Sequence, residues 1–274
     1  MTLSLAALLA EARTRIAPAE ARLLLGHLLQ RSTAWLEAHR DEPVEESVVQ
    51  KMSALVGRRN AGEPIAYLLG VREFYGRDFS VTPDVLIPRP ETELLIDIAR
   101  EKVGAGKTAK ILDLGTGSGC IAVTLALELP QTQVTAADVS PAALAVARDN
   151  AARLGAHVEF FESDWFAALP STCFDLIVAN PPYVTAGDPH LSEGDLRFEP
   201  QGALTDHADG LAALRHIIAH APARLSQHGW LFCEHGYDQG DAVKGLLLAA
   251  GFTELEQHRD LAGIVRCSGA RITN

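Results

Sequence analysis

The sequence predicts an α/β protein with a small all-α domain at its N-terminus. The first seventy residues place apolar side chains at helical spacing, and they contain no glycine before Gly26. Beyond residue 108, short apolar runs alternate with helical stretches, which is typical of a mainly parallel sheet covered by helices. The 274 residues are enough for two domains. We therefore expect a helical domain at 1–70, a linking β-hairpin at 71–90 and an α/β domain at 91–274.

The N-terminal part is predicted to form three helices. The first two carry apolar residues every three or four positions, namely Leu5, Leu8, Leu9 and Ala12, then Ala21, Leu24, Leu25 and Leu28. Pro18 is a favourable first-turn residue for the second helix, and a third runs from about 44 to 59. Leucine stripes of this kind usually form the core of a small bundle, so we assign them no chemistry.

The linking segment is marked by Gly76 and Pro83. They separate aromatic and β-branched runs, which indicates a hairpin. Further on, the run Pro-Arg-Pro-Glu-Thr at 88–92 is typical of a helix start. Its last two residues are expected near the first turn of a helix that ends at about Val103.

The α/β part is predicted to contain seven strands and several helices. The strands are 110–114, 132–138, 157–161, 174–179, 229–235, 252–258 and 263–269. The helices include 120–129, 141–153, 208–226 and 239–250. Ligands of such sheets bind at the carboxyl ends of the strands, so the chemistry is expected in the segments that follow them.

Composition and charge exclude several classes of protein. With 47% hydrophobic and 22% charged residues, the chain is typical of ordinary globular proteins. Its net charge of −11 disfavours a protein that binds nucleic acid mainly through phosphates. The N-terminal apolar run is broken by Glu11 and lacks a basic region, so it is a poor signal peptide, and no stretch is long enough to span a bilayer. We expect a cytoplasmic monomer without direct nucleic-acid or membrane contact.

The cysteines and histidines are interpreted as structural. Cys120, Cys173, Cys233 and Cys267 form no CxxC pair, which indicates reduced thiols. Cys120 follows a glycine-rich turn, where a helix N-terminus could lower a thiol pKa, but a packing role is favoured. The ten histidines show no metal-ligand spacing, so no metal site is predicted. For His235, at a strand end, a core or surface position is favoured over the pocket.

The clearest nucleotide-type signal is a turn between a strand and a helix, formed by Gly115, Thr116, Gly117, Ser118 and Gly119. Such glycines let backbone N–H groups approach a ligand closely. Asp138 ends the next strand, which is the position of a carboxylate that binds the hydroxyls of a ribose. Asp113 lies just before the turn.

Two cofactor classes fit this turn. The dinucleotide fingerprint is GxGxxG, whose third glycine permits close helix–strand packing. The spacing here is GxGxG, preceded by Asp113, which resembles the first motif of class I S-adenosylmethionine-dependent methyltransferases. That resemblance implies that Asp113 and the turn receive the methionine end of the cofactor. The turn alone leaves a dinucleotide site or a purely structural turn open.

The segment Glu-Ser-Asp-Trp-Phe at 162–166 follows the third of these strands. Methyltransferases of this fold commonly hold adenine at that place. The resemblance therefore implies that Asp164 accepts a hydrogen bond from the adenine amino group and that Trp165 packs on the ring. The alternative is a loop acid beside a core tryptophan.

The fourth strand ends in the tetrapeptide Asn180, Pro181, Pro182 and Tyr183. Asn-Pro is a common turn pair, so a simple strand terminator is one interpretation. The tetrapeptide is also similar to the signature of amino-methyltransferases that act on nitrogens conjugated to a π system, such as adenine N6 or a glutamine amide. The Asn180 side-chain oxygen and the Pro181 carbonyl would then accept the two N–H hydrogens, and Tyr183 would lie against the planar group. Proline fixes the direction of that carbonyl before the reaction. All four residues, Pro182 included, are therefore expected to bind the substrate, and Asn180 is expected to contact the cofactor as well.

Motifs along the chain together resemble the release-factor glutamine methyltransferases. They are GEPIAYLLG at 62–70, LIPRPETE at 86–93, DLGTGSG at 113–119, SDWF at 163–166, NPPY at 180–183, FEPQGAL at 198–204 and DGL at 209–211. The first sixty residues match only in helical character.

This resemblance implies a Rossmann-like seven-stranded methyltransferase domain, with S-adenosylmethionine as methyl donor and S-adenosylhomocysteine as product. The implied reaction is methylation of the glutamine side-chain amide in the Gly-Gly-Gln loop of class I peptide chain release factors, with the helical domain helping to dock the substrate. It also implies that Arg89 and Glu91 lie beside the active-site cleft as substrate-binding residues, although a helix start would explain both.

Three other functions stay open at this point. A nucleic-acid adenine-N6 methyltransferase would share the NPPY tetrapeptide, but it needs a basic track for phosphates. A nicotinamide-dependent dehydrogenase would have a different glycine spacing. A noncatalytic S-adenosylmethionine-binding protein would not need an intact NPPY.

Overall fold

The computed structural model describes residues 3–273, and the chain divides into two compact units. The first unit ends at Val71 and the second begins at Arg72. Buried apolar side chains form one cluster in the first unit and two clusters in the second, so each unit has its own core. Within 3–273, no helix has both the length and the apolar character that crossing a membrane requires.

Residues 3–71 form five helices: α1 (Leu5–Ala12), α2 (Pro18–Leu29), α3 (Thr33–Ala38), α4 (Glu46–Asn60) and α5 (Ile65–Leu69). The three predicted helices are confirmed as α1, α2 and α4, because their apolar stripes pack into a single cluster. The hydroxyl of Ser4 caps α1 by accepting a hydrogen bond from the backbone N–H of Ala7 at 3.3 Å. The short helices α3 and α5 were not predicted, since so few residues give no periodic pattern.

A two-stranded hairpin follows, made of β1 (Val71–Phe74) and β2 (Arg77–Ser80). The two residues between the strands, Tyr75 and Gly76, have φ values of 51° and 73°. A two-residue turn with both φ values positive matches the twist of the strands. Helix α6 (Glu93–Val103) then starts after the Pro-Arg-Pro-Glu-Thr run and ends at the predicted residue.

Strands and helices alternate along the rest of the chain. In chain order they are β3 (Lys110–Leu114), α7 (Cys120–Glu128), β4 (Gln133–Asp138), α8 (Pro141–Leu154), β5 (Val158–Glu162), β6 (Phe174–Ala179), α9 (Gln201–Leu204), α10 (Ala212–His220), β7 (Leu225–Glu234), α11 (Gly240–Ala249), β8 (Thr253–Arg259) and β9 (Val265–Arg271). Strands β3 to β9 form one sheet in the order β5-β4-β3-β6-β7-β9-β8. Strands β3 to β7 are parallel, and β9 runs antiparallel to both of its neighbours. The predicted α/β class and the seven-stranded sheet are confirmed.

Helices cover both faces of this sheet. Ile111 of β3 packs in one buried cluster with residues of α6 and α7, whereas its neighbour Leu112 packs in the other with residues of α10 and α11. The central strands are therefore buried on both faces, as parallel strands usually are. The chain can leave the core only at the strand ends, which brings the segments after β3, β4, β5 and β6 to one edge.

Helix α10 is shorter than the helix predicted at 208–226. The Asp206 carboxylate accepts hydrogen bonds from the backbone N–H groups of Ala208, Gly210 and Ala212 at 2.9, 3.0 and 2.7 Å. These bonds hold residues 206–211 in a loop. Aspartate side chains often compete with a helix in this way, because they bind nearby backbone N–H groups. At the other end, β7 begins at Leu225, where the prediction still placed a helix.

Candidate active site

A cavity of about 400 Å³ opens where β3, β4, β5 and β6 end. Its volume lies in the range of small-molecule sites. Seven residues predicted from the sequence line it: Gly115, Gly117, Asp138, Asp164, Trp165, Asn180 and Pro182. Two residues of the glycine turn and two of the Asn-Pro-Pro-Tyr tetrapeptide thus border one cavity, whereas Tyr183 lies outside its lining.

The glycine turn is shaped by close packing as well as by backbone freedom. Gly115, Gly117 and Gly119 have φ values of 72°, 54° and 81°, a region that side chains strongly disfavour. A Cβ atom on Gly119 would lie 3.0 Å from the Cβ of Ala147 in α8. The Asn150 side chain, also in α8, donates to a backbone carbonyl of the turn at 2.9 Å. Helix α8 therefore fixes the turn from behind.

Asp138 binds the turn from the end of β4. Its Oδ2 accepts a hydrogen bond from the backbone N–H of Gly117 at 2.8 Å, and its Oδ1 accepts one from Ser140 at 2.9 Å. Burial raises the pKa of this carboxyl, and the two backbone hydrogen bonds partly oppose that shift. Each oxygen keeps a second lone pair. Asp138 can therefore hold the turn in place and still accept hydrogen bonds from a ligand in the cavity.

Asp113 is fully buried and does not line the cavity. Its Oδ2 accepts a hydrogen bond from the Thr116 hydroxyl at 2.6 Å, whereas Oδ1 has no hydrogen-bond partner among the described residues. Burial raises the pKa of this carboxyl to about 7. Thr116 and Ser118 are buried too, so the structure places these three side chains behind the turn. Their role in cofactor binding stays a prediction.

Asp164 and Trp165 lie on the cavity wall after β5. The Trp165 ring approaches the turn, because a Cβ atom on Gly115 would lie 3.7 Å from its Cζ3. Trp165 has a φ of 48°, and this conformation is stabilised by the Ser163 hydroxyl, which donates to the Trp165 carbonyl at 2.8 Å. The geometry offers a flat apolar surface beside an exposed carboxylate, as an adenine site requires.

Asn180 lines the cavity, and a hydrogen bond holds the nitrogen end of its side-chain amide. Its Nδ2 donates a hydrogen bond to the Thr92 hydroxyl at 3.1 Å, and Thr92 is buried. This contact directs Oδ1 away from Thr92, so the acceptor end of the amide remains available. Pro181 is buried and does not line the cavity, whereas Pro182 does. The catalytic roles assigned to Asn180 and Pro181 stay predictions.

Tyr183 is held at both its hydroxyl and its backbone. The hydroxyl donates to Oε1 of Glu234 at 3.1 Å, and the carbonyl accepts a hydrogen bond from Nε2 of Gln239 at 3.0 Å. Burial, followed by the charge of Glu234, raises the pKa of the Tyr183 hydroxyl, so it stays protonated at neutral pH. The ring is therefore a fixed neutral group and not a base.

Arg89 connects two segments that border the cavity. Its guanidinium donates to Oε1 of Glu199 at 2.5 Å, and Oε2 of Glu199 accepts a hydrogen bond from the backbone N–H of Ile87 at 2.9 Å. Leu86, next to Ile87, and Pro200, next to Glu199, both line the cavity. Glu91 is exposed and does not line the cavity. Substrate binding by Arg89 and Glu91 stays a prediction, while the contact of Arg89 with Glu199 gives it a structural role.

Replacing Glu199 by alanine should loosen both segments. The Glu199 side chain is fully buried, so its loss leaves Arg89 and the Ile87 N–H without their acceptor. We expect the free energy of unfolding to fall by about 2–3 kcal/mol and cofactor affinity to fall with it. Chemical denaturation and calorimetric titration measure the two effects. The exposed Glu193 provides the control, because its alanine variant should change neither quantity; equal effects of the two variants would contradict this role.

Four residues outside the cavity lining hold site residues in place through hydrogen bonds and were not predicted as functional residues: Thr92, Glu199, Glu234 and Gln239. Thr92 and Glu199 lie inside the quoted motifs LIPRPETE and FEPQGAL, so the motifs themselves were the available signal. Glu234 and Gln239 lie outside every motif, and an acid at the end of a buried strand was the only hint. The structure shows their importance through contacts across long sequence separations.

The cysteines and His235 take no part in the cavity. Cys120 is buried, and burial raises the pKa of its thiol to about 12, which leaves it unreactive. His235 is buried, with its ring nitrogens 2.8 Å from the Ser268 hydroxyl and 2.9 Å from the Gly236 carbonyl. Across residues 3–273, no group of three or more histidine, cysteine or acidic side chains could hold a metal ion.

Comparisons with known proteins match both units. Residues 4–70 match the family model of the PrmC N-terminal domain, and residues 90–193 match that of the methyltransferase small domain. The release factor glutamine methyltransferase of Bordetella pertussis is 55% identical over 251 residues, which cover 91% of this chain and 93% of that protein. The protein of the same name from Burkholderia pseudomallei is 53% identical over 260 residues, covering 92% and 91%.

Solved structures agree on the fold. The Thermus thermophilus 16S rRNA N2 G1207 methyltransferase (RsmC), in complex with AdoMet and guanosine, superposes with a TM-score of 0.55 over 73% of this chain and 49% of that one. The two sequences are 20% identical, so this likeness concerns the fold alone.

Proposed function

Because this chain belongs to the release factor glutamine methyltransferases, we propose that Asn180 and Pro181 present a release-factor glutamine amide for methylation. The chain is a protein-glutamine N-methyltransferase that uses S-adenosylmethionine. One observation carries the proposed roles: Asn180 lines the same cavity as the glycine turn and Asp138, with the acceptor end of its amide available. A methyl donor held by the turn would thus lie beside the amide that binds its acceptor.

The cavity residues fit the cofactor in three respects. Gly117 has open space where a side chain would stand, so the turn can approach a ligand. Asp138 keeps lone pairs for the ribose hydroxyls, and Trp165 offers a flat surface for adenine beside Asp164. When bound, S-adenosylmethionine supplies an electrophilic methyl group and leaves as S-adenosylhomocysteine.

The chain's own residues then orient a poor nucleophile. The lone pair of an amide nitrogen is delocalised into the carbonyl, so the two N–H groups must be held and the developing positive charge stabilised. We assign this to Oδ1 of Asn180 and the backbone carbonyl of Pro181. Tyr183 lies against the amide plane. Most of the rate then comes from positioning, and the extra proton leaves to water afterwards.

The proposed substrate is the glutamine of the Gly-Gly-Gln loop in class I release factors. The helical unit, which matches the PrmC N-terminal domain, would help to dock the folded factor. We propose a monomeric cytoplasmic enzyme, since release factors act on cytoplasmic ribosomes, and no direct contact with nucleic acid. The net charge of −11 supports this over adenine methylation.

The test is to incubate the purified protein with a class I release factor and S-adenosylmethionine. Peptide mass spectrometry should find one added methyl group on the loop glutamine. A factor with alanine in place of that glutamine is the control and should stay unmodified. An intact factor without the added methyl group, or methyl groups found only on DNA or RNA included in the reaction, would refute the proposal.

A further inference from the structure

The hydrogen bond from Tyr183 ends on a carboxyl that is buried in the core. Glu234 is the last residue of β7, next to β6 in the sheet, and it is 1% exposed. Its Oε1 accepts the hydrogen bond of the Tyr183 hydroxyl at 3.1 Å, while its Oε2 has no hydrogen-bond partner among the described residues. A carboxyl buried with one hydrogen bond shorter than 3.5 Å is costly for stability, so packing alone does not explain an acid at this position.

The groups around Glu234 compensate this cost only in part. Burial raises the pKa of its carboxyl to about 7, and the nearby charge of Glu91 acts in the same direction. The hydroxyls of Thr92 and Tyr183 and the charge of Arg266 act in the opposite direction. Thr92 is also the residue that accepts the hydrogen bond of Asn180. Glu234 is therefore connected to both ends of the Asn-Pro-Pro-Tyr tetrapeptide, directly to Tyr183 and through Thr92 to Asn180.

A second contact holds the backbone of Tyr183. Nε2 of Gln239 donates to the carbonyls of Tyr183 and Gly210 at 3.0 and 3.1 Å, and Oε1 of Gln239 accepts from the backbone N–H of Gly236 at 2.8 Å. A Cβ atom on Gly210 would lie only 2.4 Å from the Tyr183 carbonyl oxygen. The backbone is thus fixed independently of Glu234, which leaves the ring and its hydroxyl for Glu234 to fix.

We propose that Glu234 is a positioning residue that holds the Tyr183 ring in the plane where it supports the substrate amide. This rests on the proposed function, in which the Tyr183 ring packs against the plane of the glutamine amide. A free ring could rotate about its side-chain torsions and let the amide tilt away from the methyl group. The bond to a fixed acceptor at a strand end removes that freedom before the substrate arrives.

The variants Glu234→Leu, Glu234→Gln and Tyr183→Phe test this with release factor as substrate. Leucine removes the acceptor, and we expect kcat to fall roughly 10- to 100-fold while the cofactor Kd stays within about twofold. Glutamine keeps an oxygen acceptor and should restore most of kcat. Since both changes break the same bond, Tyr183→Phe should lose as much as Glu234→Leu, and the double variant should lose little more.

Several outcomes would overturn the proposal. They are an unchanged kcat in Glu234→Leu, additive losses in the double variant, a glutamine variant as impaired as leucine, or full activity of Tyr183→Phe. If Glu234→Leu does not fold, Tyr183→Phe and Glu234→Gln still decide, because neither changes the packing volume much. The proposed function is judged separately, by whether the wild-type protein methylates the glutamine at all.

Discussion

Replacing Asn180 by alanine should remove most methyl transfer while the cofactor still binds. The change removes the acceptor that we assign to one amide N–H, and it also removes the donor to Thr92. Loss of one preorganised polar group at a reacting centre lowers kcat by roughly 100- to 1000-fold. The glycine turn, Asp138 and Trp165 are untouched by the change, so the cofactor affinity should stay within about threefold.

Single-turnover transfer to release factor and calorimetric titration with S-adenosylmethionine measure the two effects. Thr92→Val is the matched variant, because it removes the partner of the Asn180 amide and leaves Asn180 itself in place. It should lose less activity than Asn180→Ala. Substantial transfer by the alanine variant, or parallel loss of cofactor binding and transfer, would contradict the assigned role.

The sequence alone was sufficient to predict those parts of the site that lie within one short segment of the chain. The turn after β3, Asp138 at the end of β4 and the tetrapeptide after β6 each follow a strand whose apolar run is short and clear. The alternation of such runs with helices implies a parallel sheet, and its carboxyl edge collects these segments. That is why seven of the predicted residues line one cavity.

The sequence was not sufficient for contacts between distant segments. Arg89 and Glu199 are 110 positions apart, and Tyr183 and Glu234 are 51 apart. No periodicity or spacing relates such pairs, because only the folded sheet brings them together. The overlong helix at 208–226 has a different cause, since the hydrogen bonds of Asp206 replace helical ones without disturbing the apolar pattern.

Replacing Gly119 by alanine should have the largest effect on both stability and cofactor binding. The residue has a φ of 81°, which costs a side chain about 1–2 kcal/mol. The new Cβ would also lie 3.0 Å from the Cβ and 3.2 Å from the Cα of Ala147. An atom of the α8 backbone cannot move aside as a flexible side chain would, so the turn or the helix must shift, at a further cost of about 1–3 kcal/mol.

Gly155 separates the two contributions. It has a φ of 75° and no atom within 4 Å of where a Cβ would stand, so Gly155→Ala meets only the backbone strain. Thermal and chemical denaturation should show a larger loss for Gly119→Ala, and only that variant should lose cofactor affinity, by at least about tenfold. Equal losses in the two variants would mean that backbone conformation alone explains why position 119 is a glycine. A larger loss at Gly119, partly relieved by adding Ala147→Gly, would show that this glycine is required by the approach of α8 to the cofactor turn.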